Sequence, residues 1–206
     1  MRQEHWENVY QNKAPDDVSW HQERPEVSLG LIERTGIDKD AGIIDVGGGA
    51  STLVDHLLKA GYSRLAVLDL SQAALEHSRT RLGADAARVE WTVADVMEFT
   101  PTRPFALWHD RAVFHFFTEA ADRRRYVEAL RRTIVHGGQV VIAAFAPHGP
   151  EKCSGLEVCR HNAASLSAEL GAEFELLEQV QDVHLTPWQT EQAFGYFRFR
   201  RKAAGG

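Results

Sequence analysis

The sequence predicts an α/β protein: a mostly parallel sheet with helices on both faces and an antiparallel pair of strands at its C-terminal end. Three observations predict it. Apolar, β-like runs alternate with helix-like periodicity from residue 41 to residue 146. Glycines stand where two of those helical patterns stop, at Gly61 and Gly83. Two long β-like segments, 174–184 and 192–201, are joined by a connection short enough for an antiparallel pair.

Residues 41–46 (AGIIDV) read as a buried strand running into Gly47, Gly48 and Gly49. A helix follows over 51–59, with Leu53, Val54, Leu57 and Leu58 at helical spacing. Residues 64–70 (RLAVLDL) are a second strand, and Ser71 caps a helix running to about residue 82. Residues 88–94 and 105–109 are the third and fourth strands. Tyr126, Val127, Leu130 and Ile134 give a helix over 122–135 one apolar side. His136-Gly137-Gly138 then turns the chain into a fifth strand over 139–145, and a short helix is expected over 165–170. Residues 1–40 are read as an N-terminal arm and helix within the same domain as the 41–206 core. Pro25 starts a helix through Arg34, with Val27, Leu31 and Ile32 toward the sheet. Ahead of it, residues 1–24 are polar but carry Trp6, Tyr10 and Trp20, as an arm or lid would.

Composition narrows the function classes. The chain has 206 residues with 23 Lys and Arg against 29 Asp and Glu, a net charge of −6. That is one ordinary domain, and it lacks the basic excess of a general nucleic-acid binder. Two cysteines cannot build a disulfide framework. The longest purely apolar run, 140–146, is far too short to span a bilayer, and no basic start leads into an apolar leader. A soluble, cytoplasmic protein is expected, with neither membrane nor nucleic acid as partner.

In open α/β sheets ligands bind beyond the carboxyl ends of the strands. Here four successive strand ends carry a carboxylate: Asp45, Asp69, Asp95 and Asp110. Gly47 and Gly49 permit a tight turn and a close approach of ligand to backbone. Asp69, 24 residues after Asp45, is placed to accept bonds from both hydroxyls of a ribose. Asp95 can accept from an exocyclic adenine amine, with Leu70 and Val96 on either side of the ring. Asp45 beside the glycines would repel a pyrophosphate but suits a cationic ligand. A dinucleotide loop would place glycine where Thr52 stands, and no Gly-Lys-Ser/Thr phosphate loop follows.

The ordered set Ile43-Ile-Asp-Val-Gly-Gly-Gly-Ala50, Val67-Leu-Asp-Leu-Ser71 and Val93-Ala-Asp-Val96 resembles the first three motifs of class I S-adenosylmethionine-dependent methyltransferases. The resemblance runs from about residue 41 to residue 146. It implies a Rossmann-like sheet of seven strands whose final strand inserts antiparallel to its neighbours. It also implies S-adenosylmethionine as cofactor and S-adenosylhomocysteine as product. Asp69 would serve the ribose, Asp95 the adenine, and the loop from Asp45 through Gly48 to Gly49 the methionyl part. Such an enzyme holds an acceptor in line with an electrophilic sulfonium methyl. The motifs define the cofactor and leave the acceptor open.

Candidate acceptor-side residues come from elsewhere. His109, at the end of strand four, is a candidate general base, and otherwise a histidine that bonds the loop. His115, in an apolar stretch, is a second candidate, or a packing residue. Asp110 is expected to face the cofactor or its loop. Arg111 either steers an anionic substrate or pairs with Asp110, and the ion pair is the expected arrangement. Trp6, Tyr10 and Trp20 either cover the cofactor, with Trp20 touching it, or anchor the arm. His148 and Cys153, in the loop after strand five, can shape an acceptor pocket. Cys153 and Cys159 lack a common zinc spacing, and no metal is expected. Arg123 to Arg125 with Arg131 and Arg132 read as a solvated helix face. The favoured acceptor is a small molecule, with a protein side chain as runner-up. An NAD(P)-dependent oxidoreductase and a noncatalytic cofactor sensor are the rivals from other classes.

Overall fold

The computed structural model describes residues 2–203. The chain opens with helices α1 (Arg2–Asn12) and α2 (Glu26–Arg34), then alternates β1 (Ile43–Val46), α3 (Leu53–Lys59), β2 (Leu65–Asp69), α4 (Gln72–Leu82), β3 (Val89–Val93) and β4 (Phe105–Arg111). Helix α5 (Ala120–Thr133) leads into β5 (Ile134–Phe145). A two-stranded excursion, β6 (Lys152–Cys153) and β7 (Leu156–Glu157), precedes α6 (Ala163–Leu170) and the long strands β8 (Phe174–Leu185) and β9 (Glu191–Arg201). The sheet has seven strands in the order β3-β2-β1-β4-β5-β9-β8. β9 runs antiparallel to both β5 and β8, so the one reversed strand lies inside the sheet.

Both faces of the central strands are buried, as a sheet covered by helices on each side requires. On β1, Ile44 and Val46 join a core with Trp108, Tyr126 and Phe197. Ile43 points the other way, into a core with Leu53, Leu57 and Leu107. A third cluster joins Leu31 of α2 to Phe145, Phe194 and Tyr196. Each fully buried Leu, Ile or Phe contributes about 1.5–3 kcal/mol. The alternation also sets the site: on β4, Leu107, His109 and Arg111 share one side, and Trp108 and Asp110 the other.

Two elements differ from the sequence reading. β5 begins at Ile134, so His136-Gly137-Gly138 is an irregularity within a strand rather than a separate turn. The pairing with β4 shifts register there, between Phe105 and Leu107, as a bulge does. The polar N-terminal segment holds an 11-residue helix, α1, which packs on α4. Among the described residues, no helix is long and apolar enough to cross a membrane.

Candidate active site

The strand ends meet at the first glycine turn. Gly47 takes a left-handed conformation, φ +68°, and a Cβ there would come within 2.1 Å of Val113 Cγ2. Gly49 donates its N–H to Asp69 Oδ2 at 3.0 Å, and a Cβ on Gly49 would fall 2.6 Å from that oxygen. A side chain at Gly49 would therefore push the loop off the carboxylate, and one at Gly47 would strike Val113. Asp69 Oδ1 accepts from the Ser71 N–H at 2.9 Å. Burial pushes the Asp69 carboxyl up to about 6, against the lowering effect of those two backbone donors.

An outer cleft opens over this turn, with about 820 Å³ of empty space, its mouth included. Its lining combines Asp69, Leu70, Asp95 and Val96 from the strand ends with the aromatic Trp6, Tyr10, Trp20, Phe116 and Phe117. Arg111 and Cys153 line it as well. An inner cavity of about 560 Å³, mouth included, adjoins it and is lined by Asp45, Gly48, Ser28 and His109 among others. Tyr10, Trp20, Val46, Gly47 and Arg111 border both spaces.

The inner cavity is organised by a buried polar chain. His109 Nδ1 lies 2.7 Å from Asp45 Oδ1, and His109 Nε2 lies 2.9 Å from Ser28 Oγ. A carboxylate only accepts, so Nδ1 carries a proton. In the neutral imidazole Nε2 then accepts from the Ser28 hydroxyl. Asp45 Oδ2 is buried and has no partner.

Arg111 does not pair with Asp110, because neighbouring residues of a strand point to opposite faces. Its Nε donates to Tyr196 Oη and its Nη1 to the Trp20 carbonyl, both at 2.9 Å. The guanidinium also lies over the Phe194 ring at 4.7 Å. Arg111 Nη2 is buried and unpartnered. Asp110 faces away from both cavities and accepts from Tyr126 Oη at 2.6 Å and from the Val113 N–H at 2.8 Å. It organises the turn after β4 rather than meeting a ligand. Burial lifts its carboxyl to about 6, although Tyr126 and the turn N–H groups oppose this.

The other candidates divide. His115 is fully buried, lines neither space, and burial pushes its pKa down to about 3. His148 lies exposed on the loop after β5 and lines neither cavity. Cys153 is buried in the outer cleft wall, where burial pushes its thiol up to about 11 while Arg111 pulls it down. Cys159 instead lies near Arg123 Nη1, at 3.9 Å. Among the described residues, no group of three His, Cys, Asp or Glu is placed to hold a metal ion.

The N-terminal segment covers the outer cleft. Glu7 of α1 accepts from Ser71 Oγ at 2.8 Å and from the Ala73 N–H at 3.3 Å, at the start of α4. Burial raises the Glu7 pKa, but the hydrogen bonds from Ser71 and Ala73 outweigh it and leave the carboxyl below its ordinary value. Trp6 meets Phe116 and Trp20 edge-on, at 5.1 and 5.6 Å between ring centroids. Trp20 Nε1 donates to Tyr10 Oη at 3.1 Å. Thr52 Oγ1, His184 Nε2 and Arg111 Nη1 hold the carbonyls of Gln22, Ser19 and Trp20.

Residues 43–138, which span these strand ends, match a family model described as a methyltransferase domain. The chain carries a match to a methyltransferase domain over that span. It is similar to a SAM-dependent methyltransferase from Anabaena variabilis ATCC 29413, with a TM-score of 0.78, 16% identity and coverage of 98% of this chain and 96% of that one. The N-methyltransferase NodS from Bradyrhizobium japonicum WM9, in complex with S-adenosyl-L-homocysteine, aligns with a TM-score of 0.70 at 16% identity, over 95% and 97% of the two chains. In sequence the chain is 22% identical to human EEF1A lysine methyltransferase 2 over 192 residues, 86% of this chain and 75% of that protein.

The residues present fit S-adenosylmethionine. The cleft offers a carboxylate, Asp69, with lone pairs left after its two backbone bonds, and an apolar pair, Leu70 and Val96. The unpartnered Asp45 Oδ2 is a buried acceptor suited to a cationic group. Sequence reasoning missed Ser28, Glu7, Phe116 and Phe117. For α1 a signal existed: Trp6 and Tyr10 are four residues apart, the spacing that puts two side chains on one helix face.

Proposed function

We propose that the chain is an S-adenosylmethionine-dependent methyltransferase acting on a small-molecule acceptor held against the aromatic lining of the outer cleft. The observation that carries this reading is that Trp6, Trp20, Phe116 and Phe117 line the same cavity as Asp69 and Asp95. Aromatic walls with few polar groups are the usual lining of a small-molecule site. The cover formed by α1, fastened through Glu7, restricts entry to a compact ligand.

In this reading Asp69 accepts bonds from the ribose hydroxyls and Asp95 from the adenine amine, with Leu70 and Val96 against the ring. Gly47, Gly48 and Gly49 let the methionyl part approach the backbone, and Asp45 Oδ2 receives its ammonium. The bound cofactor supplies an electrophilic methyl on a sulfonium. The chain's own contribution is to position both partners in line and to exclude water. His109 is a positioning residue for Asp45 rather than a base, because Ser28 occupies its Nε2. Trp6, Tyr10 and Trp20 form the cover.

A radiolabelled methyl-transfer screen tests the reading, set beside calorimetry with S-adenosylmethionine, S-adenosylhomocysteine and NAD. Tight binding of S-adenosylhomocysteine and transfer to a small molecule are expected. Transfer only to a protein lysine would replace the acceptor class. Failure with every acceptor despite cofactor binding would favour a sensor.

A further inference from the structure

Among the described residues, the acceptor side of the cleft contains a cation with a buried, unpartnered donor nitrogen. Arg111 spends Nε on Tyr196 and Nη1 on the Trp20 carbonyl, and its buried Nη2 has no partner. Arg111 ends β4 opposite Ala143 of β5, and it stacks on Phe194 of β9. It thus stands on the β5–β9 side of the glycine turn, away from the β2 and β3 ends that carry Asp69 and Asp95. The second guanidinium in the cleft, Arg2, is already held by Asp122 at 2.8 Å.

Among the described residues, the same region offers no histidine or tyrosine free to take a proton from an acceptor. Both nitrogens of His109 are engaged, and His115 lies outside the cleft. Tyr10 is buried, with its hydroxyl bonded to Trp20. A buried guanidinium also disfavours an ammonium such as a lysine side chain, since like charges in a partly desolvated site repel. A carboxylate would need no base either, but it is a weaker nucleophile toward a sulfonium methyl than a thiolate.

From this geometry we infer that the acceptor is an apolar small-molecule thiol, bound as its thiolate against Arg111 Nη2. The inference rests on the aromatic side of the cleft being the acceptor side, as proposed above. A thiolate lone pair forms the new S–CH3 bond while the electron pair of the broken sulfonium C–S bond stays with the departing thioether. An anion and a cation become two neutral thioethers, and no proton has to leave during transfer. A thiol, whose ordinary pKa is near 8.5, requires far less help to ionise than a phenol near 10 or an alcohol.

The test uses the full chain, S-adenosylmethionine and a chromophoric aromatic thiol whose thiolate absorbs in the visible. Matched phenol, carboxylate, amine and lysine-peptide acceptors run beside it. The thiol is expected to be methylated preferentially. Arg111→Gln should lower kcat/KM for it by about tenfold at pH 7, the effect of one pKa unit on the thiolate fraction. That deficit should shrink as pH rises through the thiol's own pKa, and Arg111→Lys should recover much of the activity. Binding of S-adenosylhomocysteine should weaken by no more than about fivefold in Arg111→Gln, the effect of one lost bond to the Trp20 carbonyl. In the presence of S-adenosylhomocysteine, the bound thiol should show thiolate absorbance at a pH where the free thiol does not. Preferential transfer to the amine, phenol or carboxylate would overturn the inference. So would a deficit that ignores pH, a loss of S-adenosylhomocysteine binding in Arg111→Gln, or no thiolate signal in the complex. Absent S-adenosylhomocysteine binding by the native chain would instead defeat the proposed site itself.

Discussion

The imidazole of His109 stands 2.7 Å from Asp45 across the adjacent strands β1 and β4, and the strand pairing puts it there. Asp45 on β1 is the direct register partner of His109 on β4. Side chains of paired strand residues share a face, so the two meet without any contribution from a loop. Ser28 of α2 closes the chain from the other side. The arrangement fixes one oxygen of Asp45 and leaves the other unpartnered toward the inner cavity.

His109→Ala is accordingly expected to weaken S-adenosylhomocysteine binding by about tenfold, consistent with about 1–3 kcal/mol for leaving a buried acceptor unpaired. Asp45→Asn should weaken it at least as much. Calorimetry on folded variants checks both. Unchanged affinity in His109→Ala with a collapse of kcat would return His109 to a catalytic role.

In the role proposed for it, Asp69 should link ligand binding to pH. Its carboxyl is pushed up to about 6 in the free protein, whereas ribose hydroxyls donate to the ionised form. Binding therefore favours loss of the proton, and affinity for S-adenosylhomocysteine should fall as pH drops below about 6, approaching tenfold per unit. Asp69→Asn should bind weakly and lack that dependence. Calorimetric titrations at pH 5.0 and 7.5 measure it.

His115 makes a stability prediction of definite sign. Burial holds its pKa at about 3, below the ordinary value of 6.5. Between these values the unfolded chain binds a proton that the folded chain refuses. The contribution is fully present above about pH 6.5 and is lost as pH falls toward 3. His115→Phe removes this titration. Wild type should thus lose about 2–3 kcal/mol relative to His115→Phe between pH 7 and pH 4, at 1.36 kcal/mol per unit. Denaturant unfolding at the two pH values gives the comparison.

Glu7 fastens the cover. Glu7→Ala removes the acceptor of Ser71 Oγ and the Ala73 N–H. The expected result is faster release of S-adenosylhomocysteine, by about fivefold to tenfold for a bond of ~1 kcal/mol or slightly more. Trp6 and Trp20 lie in the cover, so stopped-flow tryptophan fluorescence reads it directly. An unchanged release rate would mean that α1 stays seated without the Glu7 bonds.

Much of the site could be read along the chain, because strand ends and their turns are local. Gly47, Gly49, Asp69 and Asp95 follow directly from apolar runs ending in polar residues. Asp110 shows where this stops. It ends a strand as the others do, but alternation points it at Tyr126 while Arg111 turns to Tyr196 and Trp20. Sequence order gives the alternation, but not which face looks into a cavity. Ser28, Glu7 and Phe116 were missed for a related reason: each reaches the site from an element whose docking depends on the packed sheet.

The sequence by itself determined the alternating α/β order, the glycine turn and the run of strand-end carboxylates, since each depends on a few neighbouring residues. The tertiary structure decided that β9 lies inside the sheet, that α1 closes over the cleft, and that His109 is held between Asp45 and Ser28. It also decided that Arg111 keeps a buried, unpartnered nitrogen. These are relations between residues tens of positions apart, and only burial of the two sheet faces brings them within bonding distance.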